Sequence, residues 1–152
     1  MSETAADLDF MRAALEEARA SGQRGEVPVG AVVVIDGAFV SRAGNRTITH
    51  CDPTAHAEIV ALRNAARRIG NYRLPGATMY VTIEPCAMCA GALIQARVAR
   101  LVYGADDPKG GAVRTCLSVL DHPLLNHRIE VTSGALAEES AEILKSFFAA
   151  RR

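Results

Sequence analysis

The sequence predicts an α/β protein with a mixed sheet and helices on both faces of that sheet. Two observations carry this prediction. Segments of helical period alternate with short apolar segments of strand-like composition, and two of these apolar segments are joined by Asp36-Gly37. An Asp-Gly pair is typical of a hairpin turn, so at least one pair of strands is antiparallel. The 152 residues contain no repeat or linker, and we treat 1–152 as a single domain.

The N-terminal half is predicted to hold a helix, a hairpin and a second helix. Residues 7–20 are predicted to be helical because apolar residues recur there on one helical face. The apolar run 29–35 and its partner 38–43 form the two strands of the hairpin. The second helix is predicted to open at Asp52-Pro53, because aspartate is a good N-cap and proline suits the first helical position.

The C-terminal half continues the alternation of strands and helices. Residues 78–83 are rich in β-branched and aromatic side chains, which indicates a strand, and a third helix is predicted at 87–96. The remaining predicted elements are a short buried strand at 100–103, a loop at 106–111, a short helical segment at 117–120, a last strand at 129–132 and a closing helix at 138–150.

Composition excludes several classes of protein. Hydrophobic residues make up 49% and charged residues 22% of the chain, which excludes a disordered or collagen-like protein, and no apolar run is long enough to span a membrane. The 17 Lys and Arg residues balance the 17 Asp and Glu residues, so we expect no DNA partner, and any nucleic acid must be bound by a local patch. The acidic N-terminal segment has no apolar run, which favours a cytoplasmic protein.

The chemistry lies in two short motifs, His56-Ala57-Glu58 and Pro85-Cys86-Ala87-Met88-Cys89. Cysteines in a cytoplasmic chain are more often metal or redox groups than disulfides. Cys86 and Cys89 share a helix face because they are three residues apart, and a helix N-terminus favours their thiolates. Together with the neutral imidazole of His56 they predict a zinc site of three ligands, one ion per chain, whose open fourth position suits catalysis.

Glu58 follows the histidine closely enough to reach the same cavity. Zinc lowers the pKa of bound water to roughly 7, which supplies hydroxide at neutral pH. A carboxylate beside it can take a proton from the water and pass it to a ring nitrogen and then to a leaving amine. This combination predicts hydrolytic deamination of an amidine-like ring carbon, and the order H-x-E…P-C-x-x-C is the pattern of zinc deaminases.

Each motif alone admits other interpretations. A C-x-x-C pair is also found in redox sites and in structural zinc knuckles, and H-x-E can be a solvated helix start. One alternative function is therefore a deaminase of a free nucleobase or nucleotide of the guanine or cytosine type. Another is a zinc-stabilised binding module, which would need a fourth protein ligand such as His50 or Cys51.

Similarity to a known family extends well beyond the two motifs. The matching segments are 26–32, 45–46, 52–59, 71–74, 84–92 and 126–128. In these segments the chain resembles the bacterial tRNA-specific adenosine deaminases, within the cytidine deaminase-like superfamily. Segments 52–59 and 84–92 are shared by many small-molecule deaminases, whereas 71–74, 126–128 and the aromatic and arginine residues at the C-terminus point to the tRNA enzymes.

The resemblance implies a fold, an activity and a partner. The expected fold has three layers, α/β/α, around a five-stranded sheet. The expected reaction converts the wobble adenosine of an arginine tRNA to inosine. The expected assembly is a homodimer in which the second copy helps to shape the site for the tRNA anticodon stem-loop.

The resemblance also implies substrate-binding residues. It places Asn45 on the purine, and Val29 and the backbone around Ala57 in the base pocket. Asp107 corresponds to a contact with the nucleotide backbone. Four further candidates for RNA contacts are His127, Arg128, Phe148 and Arg152. An exposed aromatic side chain can stack on a base, and arginine side chains bind phosphates. The segment 110–116 departs from the common family sequence, so no role is assigned to it.

A few residues outside these motifs have simpler interpretations. Cys51 and Cys116 are expected to be small, partly buried side chains without a functional role. Met88 is expected in the core, and Gly91 at a close contact between packed elements.

Overall fold

The computed structural model describes residues 2–151 and has a five-stranded sheet in the strand order β2-β1-β3-β4-β5. The strands are β1 (Gly30–Ile35), β2 (Ala38–Gly44), β3 (Thr78–Ile83), β4 (Arg100–Ala105) and β5 (Glu130–Ser133). The helices are α1 (Ala5–Gln23), α2 (Ala57–Ile69), α3 (Ala87–Gln95) and α4 (Ala137–Ala149), with a short 3-10 turn at Val119–Asp121. The predicted Arg152 contact lies outside the described residues.

The sheet is mixed, as the hairpin signal predicted. Strand β1 is antiparallel to both β2 and β3, whereas β3, β4 and β5 run parallel to one another. Since the chain leaves parallel strands at their carboxyl ends, the segments after β3 and β4 meet at one edge of the sheet. That edge carries the candidate site.

Alternate residues along the strands enter two separate cores, as the twofold period of a strand requires. Val33 and Met79 lie in the core beneath α2 and α3, whereas Val32 and Tyr80 lie in the core against α1. Helix α4 lies on the same side of the sheet as α1 and contacts β4. The contact is close at Gly104, where Ser140 and the Thr82 carbonyl leave no room for a side chain. The predicted three-layer α/β/α fold is therefore confirmed. No described helix is both apolar and long enough to cross a membrane.

The start of α2 differs from the prediction. The helix begins at Ala57, with His56 as its N-cap, and not at Asp52-Pro53. The Asp52 carboxylate instead accepts hydrogen bonds from the amide and the hydroxyl of Thr54, at 2.8 and 2.7 Å. An Asp-Pro pair favours such a turn as much as it favours a helix start. This turn leaves His56 at the N-terminal end of α2.

Four predictions about single residues are wrong. Cys51 and Cys116 are exposed, not partly buried. Met88 is 37% exposed, and a Cβ at Gly91 would meet no atom within 4 Å. Helix α3 turns the side that carries Cys89 inward, which leaves these two residues on its outer side.

A buried ion pair holds α1 on the sheet. The Asp7 carboxylate accepts hydrogen bonds at 2.8 Å from both terminal nitrogens of Arg100 and at 2.7 Å from the Tyr80 hydroxyl. Arg100 also donates to the Thr132 hydroxyl at 2.9 Å, so one network joins α1, β3, β4 and β5. Burial alone would raise the pKa of Asp7, but the hydrogen bonds from Arg100 and Tyr80 lower this pKa well below its usual range.

We expect Asp7→Asn to lower the free energy of unfolding by about 3 kcal/mol at pH 7, because the Arg100 guanidinium, only 16% exposed, loses its carboxylate partner. A lowered folded-state pKa stabilises the protein above the unfolded pKa of about 4, and this contribution is lost as the pH falls further. Urea unfolding should therefore show a smaller difference between the two proteins at about pH 3 than at pH 7.

Asp9→Asn is the matched control, because Asp9 lies on the same helix and its 2.7 Å pair with Arg12 is exposed. This change should have little effect on stability. Equal losses in the two variants would contradict the assignment of the buried network.

Candidate active site

Three side chains that can bind a metal meet at the carboxyl edge of the sheet. Nδ1 of His56 lies 3.6 Å from Sγ of Cys86 and 3.5 Å from Sγ of Cys89. The three ligand atoms all lie within 4.8 Å of one another, and no other His, Cys, Asp and Glu cluster of this kind occurs among residues 2–151. Neither His50 nor Cys51 belongs to the group. The three predicted ligands are thus brought together without a fourth protein ligand from the described part of the chain.

Two helix N-termini create this cluster. His56 is the N-cap of α2, and Cys86 is the N-cap of α3, with Cys89 in the first turn of the same helix. The carbonyls of His56 and Cys86 accept the first helical hydrogen bonds, from Val60 at 3.0 Å and Ala90 at 2.8 Å. The positive ends of both helix dipoles therefore face the two sulfur atoms, which favours thiolates.

The two thiols differ strongly in their pKa values. Hydrogen bonds from Cys89 and His56 lower the pKa of Cys86 to about 3. The hydrogen bond to Cys86, together with burial, raises the pKa of Cys89 above its usual range. The protein groups alone thus favour one thiolate and one thiol, and a dication between them would favour loss of the second proton.

Glu58 is a buried carboxyl group in the same cleft. Its side chain is almost fully buried, and this burial raises its pKa. Nearby His56 lowers the pKa of Glu58 by a smaller amount. A carboxylate whose pKa is raised is a stronger base than an ordinary carboxylate, which favours general acid and base catalysis.

The cleft beside these residues has a volume of about 980 Å³. Val29 and Asn45 line one wall, the segment 105–109 lines the opposite wall, and side chains of α4 close the third side. Another cavity, of about 820 Å³, lies between α1 and α4, but it is lined by neither histidine nor cysteine. The metal-binding side chains therefore lie in the larger of these two cavities.

Asn45 is held in one orientation by the backbone of α2. Its Oδ1 accepts a hydrogen bond from the Ala57 amide at 3.1 Å. Among the described residues, no partner engages Nδ2 of Asn45, so this amino group is available to the cleft. Ala57 itself is fully buried. The base contacts expected of Asn45, Ala57 and Val29 stay predictions.

Asp107 lies on the opposite wall of the cleft. Its Oδ1 accepts hydrogen bonds from the amides of Lys109 and Gly110 at 3.0 and 3.2 Å, which bends the segment into a tight turn. Residues 106–116, which we call the rim loop, begin with this turn. The contact of Asp107 with a nucleotide backbone stays a prediction.

The C-terminal helix brings one predicted aromatic residue to the cleft. Phe148 lines the cleft, is 47% exposed, and contacts Phe147 edge to face at 5.4 Å. Arg151 lines the same wall, and its guanidinium carbon lies 3.4 Å from the centre of the Phe147 ring. Phe148 is thus placed where a base could stack, but its role stays a prediction.

The structure does not bring His127 and Arg128 to this cleft. Nε2 of His127 lies 2.7 Å from the Val98 carbonyl, and Arg128 is exposed, 3.8 Å from Asp121. Both residues precede β5, at the amino end of the parallel strands and so at the edge of the sheet opposite the metal ligands. Their role in RNA binding stays a prediction.

Sequence reasoning missed two buried glutamates beside the cleft. Glu26, fully buried, accepts hydrogen bonds from the amides of Ile48 and Thr49 at 3.2 and 2.7 Å and so holds the loop after Asn45. Burial would raise its pKa, but hydrogen bonds led by those of Thr49 lower it. The signal available in the sequence was a charged residue shortly before the apolar strand β1.

The second missed residue, Glu84, immediately precedes the Pro85-Cys86 pair. Its side chain is almost completely buried. Burial would raise its pKa, but hydrogen bonds from the amides of Arg114, Thr115 and Asp107 and from the Thr115 hydroxyl lower it to about 2. Glu84 is therefore a carboxylate at neutral pH, in contrast to the raised pKa of Glu58.

Comparisons with known proteins agree with this geometry. The family model of the MafB19-like deaminases matches residues 5–152. The chain is 53% identical over 143 residues to the tRNA-specific adenosine deaminase of Agrobacterium fabrum, covering 94% of each chain. It also matches a solved structure from a study of A-to-I editing by tRNA:A34 deaminases at the wobble position of transfer RNA. The TM-score is 0.87 and the identity 54%, covering 90% of this chain and 99% of the other.

A more distant structural match is the guanine deaminase of Nitrosomonas europaea. The TM-score is 0.79 and the identity 25%, covering 98% of this chain and 86% of the other. The identity to the tRNA-specific adenosine deaminase of Agrobacterium fabrum is about twice as high, at 53%. The chain therefore belongs to the bacterial tRNA-specific adenosine deaminases, within the MafB19-like deaminase family and the cytidine deaminase-like fold.

Proposed function

We propose that this deaminase converts adenosine to inosine at the wobble position of a tRNA anticodon, with an arginine tRNA as the expected substrate. The observation that carries the proposal is the meeting of His56, Cys86 and Cys89 beside the buried Glu58 in an open cleft. The relatives named tRNA-specific adenosine deaminases support the choice of substrate.

The donor set fits a zinc ion. One imidazole nitrogen and two sulfur atoms lie within 4.8 Å of one another, and soft thiolate ligands favour zinc over hard cations. Two thiolates would balance the charge of the dication, and the three ligands leave one coordination position for a water molecule. When bound, zinc supplies Lewis acidity and lowers the pKa of that water to about 7.

Glu58 would move the protons of the reaction. Its buried carboxylate would take one proton from the attacking water and pass it to a ring nitrogen, and would then take the second proton from the hydroxyl newly bonded to the ring carbon and pass it to the amine, which leaves as ammonia. The raised pKa of Glu58 favours this role, because its carboxylate is then a stronger base than an ordinary glutamate and accepts a proton more readily.

The walls of the cleft would hold the flipped-out base. The Asn45 amino group can donate to a purine acceptor because Ala57 fixes the orientation of the amide. Val29 offers an apolar surface for the base. A base within a stacked loop must leave the stack to reach the cleft, and an unpaired anticodon lowers that cost.

The rim of the cleft would contact the rest of the RNA. Phe148 can stack on a neighbouring base, and Arg151 and Lys109 can bind phosphates. The Asp107 carboxylate would repel a phosphate, so its contact would be with a sugar hydroxyl. The cleft would thus combine base recognition with backbone binding.

Assembly and location are further proposals. The family resemblance favours a homodimer in the cytoplasm, in which the second copy completes the anticodon-loop site. Exposed Met88 on α3 and exposed Ile69 at the end of α2 offer apolar contacts for such a partner.

A free nucleobase is the second candidate substrate. The structural match to a guanine deaminase favours it, because the two chains superpose with a TM-score of 0.79 over 98% of this chain. The two candidates differ only in what enters the mouth of the cleft.

The substrate is tested with purified, zinc-loaded protein. We expect inosine in an arginine-tRNA anticodon stem-loop that carries a wobble adenosine, and no turnover of free adenosine, guanine or cytidine. Turnover of a free base alone would overturn the proposed substrate. No turnover at all, with zinc bound, would favour a binding module instead.

Replacing Glu58 by alanine tests the proton transfer. We expect about one zinc ion per chain to remain bound and inosine formation to fall by about 10²–10⁴-fold, the usual contribution of general acid and base catalysis. Zinc content and the initial rate on the stem-loop are measured on the same preparation. Unchanged turnover would remove Glu58 from the mechanism.

Replacing Cys86 by alanine tests the metal ligands. The variant should lose its zinc, because an imidazole and one thiolate do not neutralise or enclose the ion. Cys116→Ala is the matched control, since this cysteine is exposed and outside the cluster, and it should retain zinc. A zinc content near one per chain in Cys86→Ala would refute the ligand assignment.

A further inference from the structure

We propose that Glu84 is a positioning residue that holds the rim loop in register with the metal-binding cysteines. The proposal rests on the function proposed above, since the rim loop would contact RNA. It concerns a glutamate that neither binds the metal nor transfers a proton.

The rim loop surrounds the Glu84 carboxylate with hydrogen-bond donors. Oε1 accepts from the Asp107 amide at 3.1 Å and from the Thr115 hydroxyl. Oε2 accepts from the amides of Val113, Arg114 and Thr115, at 3.1, 2.9 and 3.0 Å. Successive backbone amides that converge in this way form a site for an anion, and here the anion is a side chain of the protein.

The backbone around Glu84 ties the same loop to the metal motif. The Glu84 amide donates to the Ala105 carbonyl at 2.8 Å, and the Pro85 carbonyl accepts from the Ala112 amide at 2.8 Å. Cys86 follows directly. The position of the rim loop is therefore set from the segment that also delivers the metal ligands.

Gly111 shows how closely the loop encloses the carboxylate. A Cβ at this position would lie 2.6 Å from Oε2 of Glu84 and nearer still to its Cδ and Oε1, far inside normal contact distance. Any side chain here would displace either the carboxylate or the loop. Glycine is required for this close approach and not for an unusual backbone angle.

The other charged contact within the rim loop is weaker. Arg114 pairs with Asp106 at 3.1 Å, but both side chains are largely exposed, at 57% and 47%. Exposed pairs contribute little because water screens them. Glu84 is almost fully buried and its hydrogen bond from the Val113 amide is buried too, so this amide would lack an acceptor if the carboxylate were lost.

The loop held by Glu84 forms part of the proposed RNA site. Asp106, Asp107, Pro108 and Lys109 all line the cleft. None of the metal ligands, nor Glu58, is hydrogen-bonded to the Glu84 side chain, whose donors all belong to the rim loop. Loss of the Glu84 charge should therefore weaken RNA binding more than it slows the chemical step.

The test is Glu84→Gln in the zinc-loaded, full-length protein. Glutamine has the same shape, but it lacks the charge and presents an amino group to amides that need an acceptor. We expect zinc to stay near one per chain, KM for the anticodon stem-loop to rise about tenfold, and kcat to change less than about threefold. Amide hydrogen exchange at 113–115 should become faster, whether or not RNA is present.

Glu26→Gln is the matched control, because Glu26 is also a fully buried carboxylate that holds a loop beside the cleft. This variant should accelerate exchange at 48–49 and leave exchange at 113–115 unchanged. Wild-type KM and wild-type exchange in Glu84→Gln would overturn the proposal. Loss of zinc in a folded Glu84→Gln protein would also overturn it, because the effect would then pass through the metal site.

Gly111→Ala is the second variant, for use if Glu84→Gln does not fold. It retains the Glu84 carboxylate, and the added methyl group would force that carboxylate and the loop apart. The same rise in KM with little change in kcat is expected, and wild-type kinetics would refute the proposal. A wild-type protein that forms no inosine would overturn the proposed function alone, because the exchange measurement on the loop needs no substrate.

Discussion

The ends of two helices, α2 and α3, must meet for this protein to have an active site. His56 and Cys86 are 30 residues apart, yet their Nδ1 and Sγ atoms lie at 3.6 Å. The sheet achieves this because β1 and β3 are adjacent, and the helices that follow β2 and β3 both begin at the same edge. The small residues on the inner sides of α2 and α3 allow both helices to approach that sheet closely. The layers of the fold can therefore be understood as the scaffold for one cluster of three ligand atoms.

Three glutamates are buried in the described part of the chain, and their surroundings suit them to different roles. Glu58 is buried with few partners, so its pKa is raised and it is suited to proton transfer. Glu26 and Glu84 are equally buried, but amide and hydroxyl donors lower their pKa values and keep them charged. A charged acceptor organises a loop, whereas a carboxyl group without such donors is free to exchange a proton. The number of hydrogen-bond donors around each carboxyl group therefore distinguishes the two glutamates that hold loops from Glu58, the proposed proton carrier.

Much of the fold could be predicted because it depends on local sequence. The apolar strands, the Asp36-Gly37 turn and the helical periods identified the type and order of the main elements. The start of α2 was misplaced because an Asp-Pro pair satisfies its own hydrogen bonds in a turn as well as at a helix end. The exposure of Met88 on α3 was also missed, since an apolar side chain does not indicate whether another element packs against it.

The candidate ligands could be predicted from sequence alone, because the types, order and spacing of His56, Cys86 and Cys89 together are typical of a zinc site. The proton-transfer role proposed for Glu58 was suggested by its position two residues after His56. Only the tertiary structure could decide that Glu84 holds the rim loop and that His127 lies at the opposite edge of the sheet. Those facts depend on contacts between segments that are distant in sequence, for example Glu84 and Arg114, which are 30 positions apart. Such contacts arise from the order and direction of the strands, which local propensity does not encode.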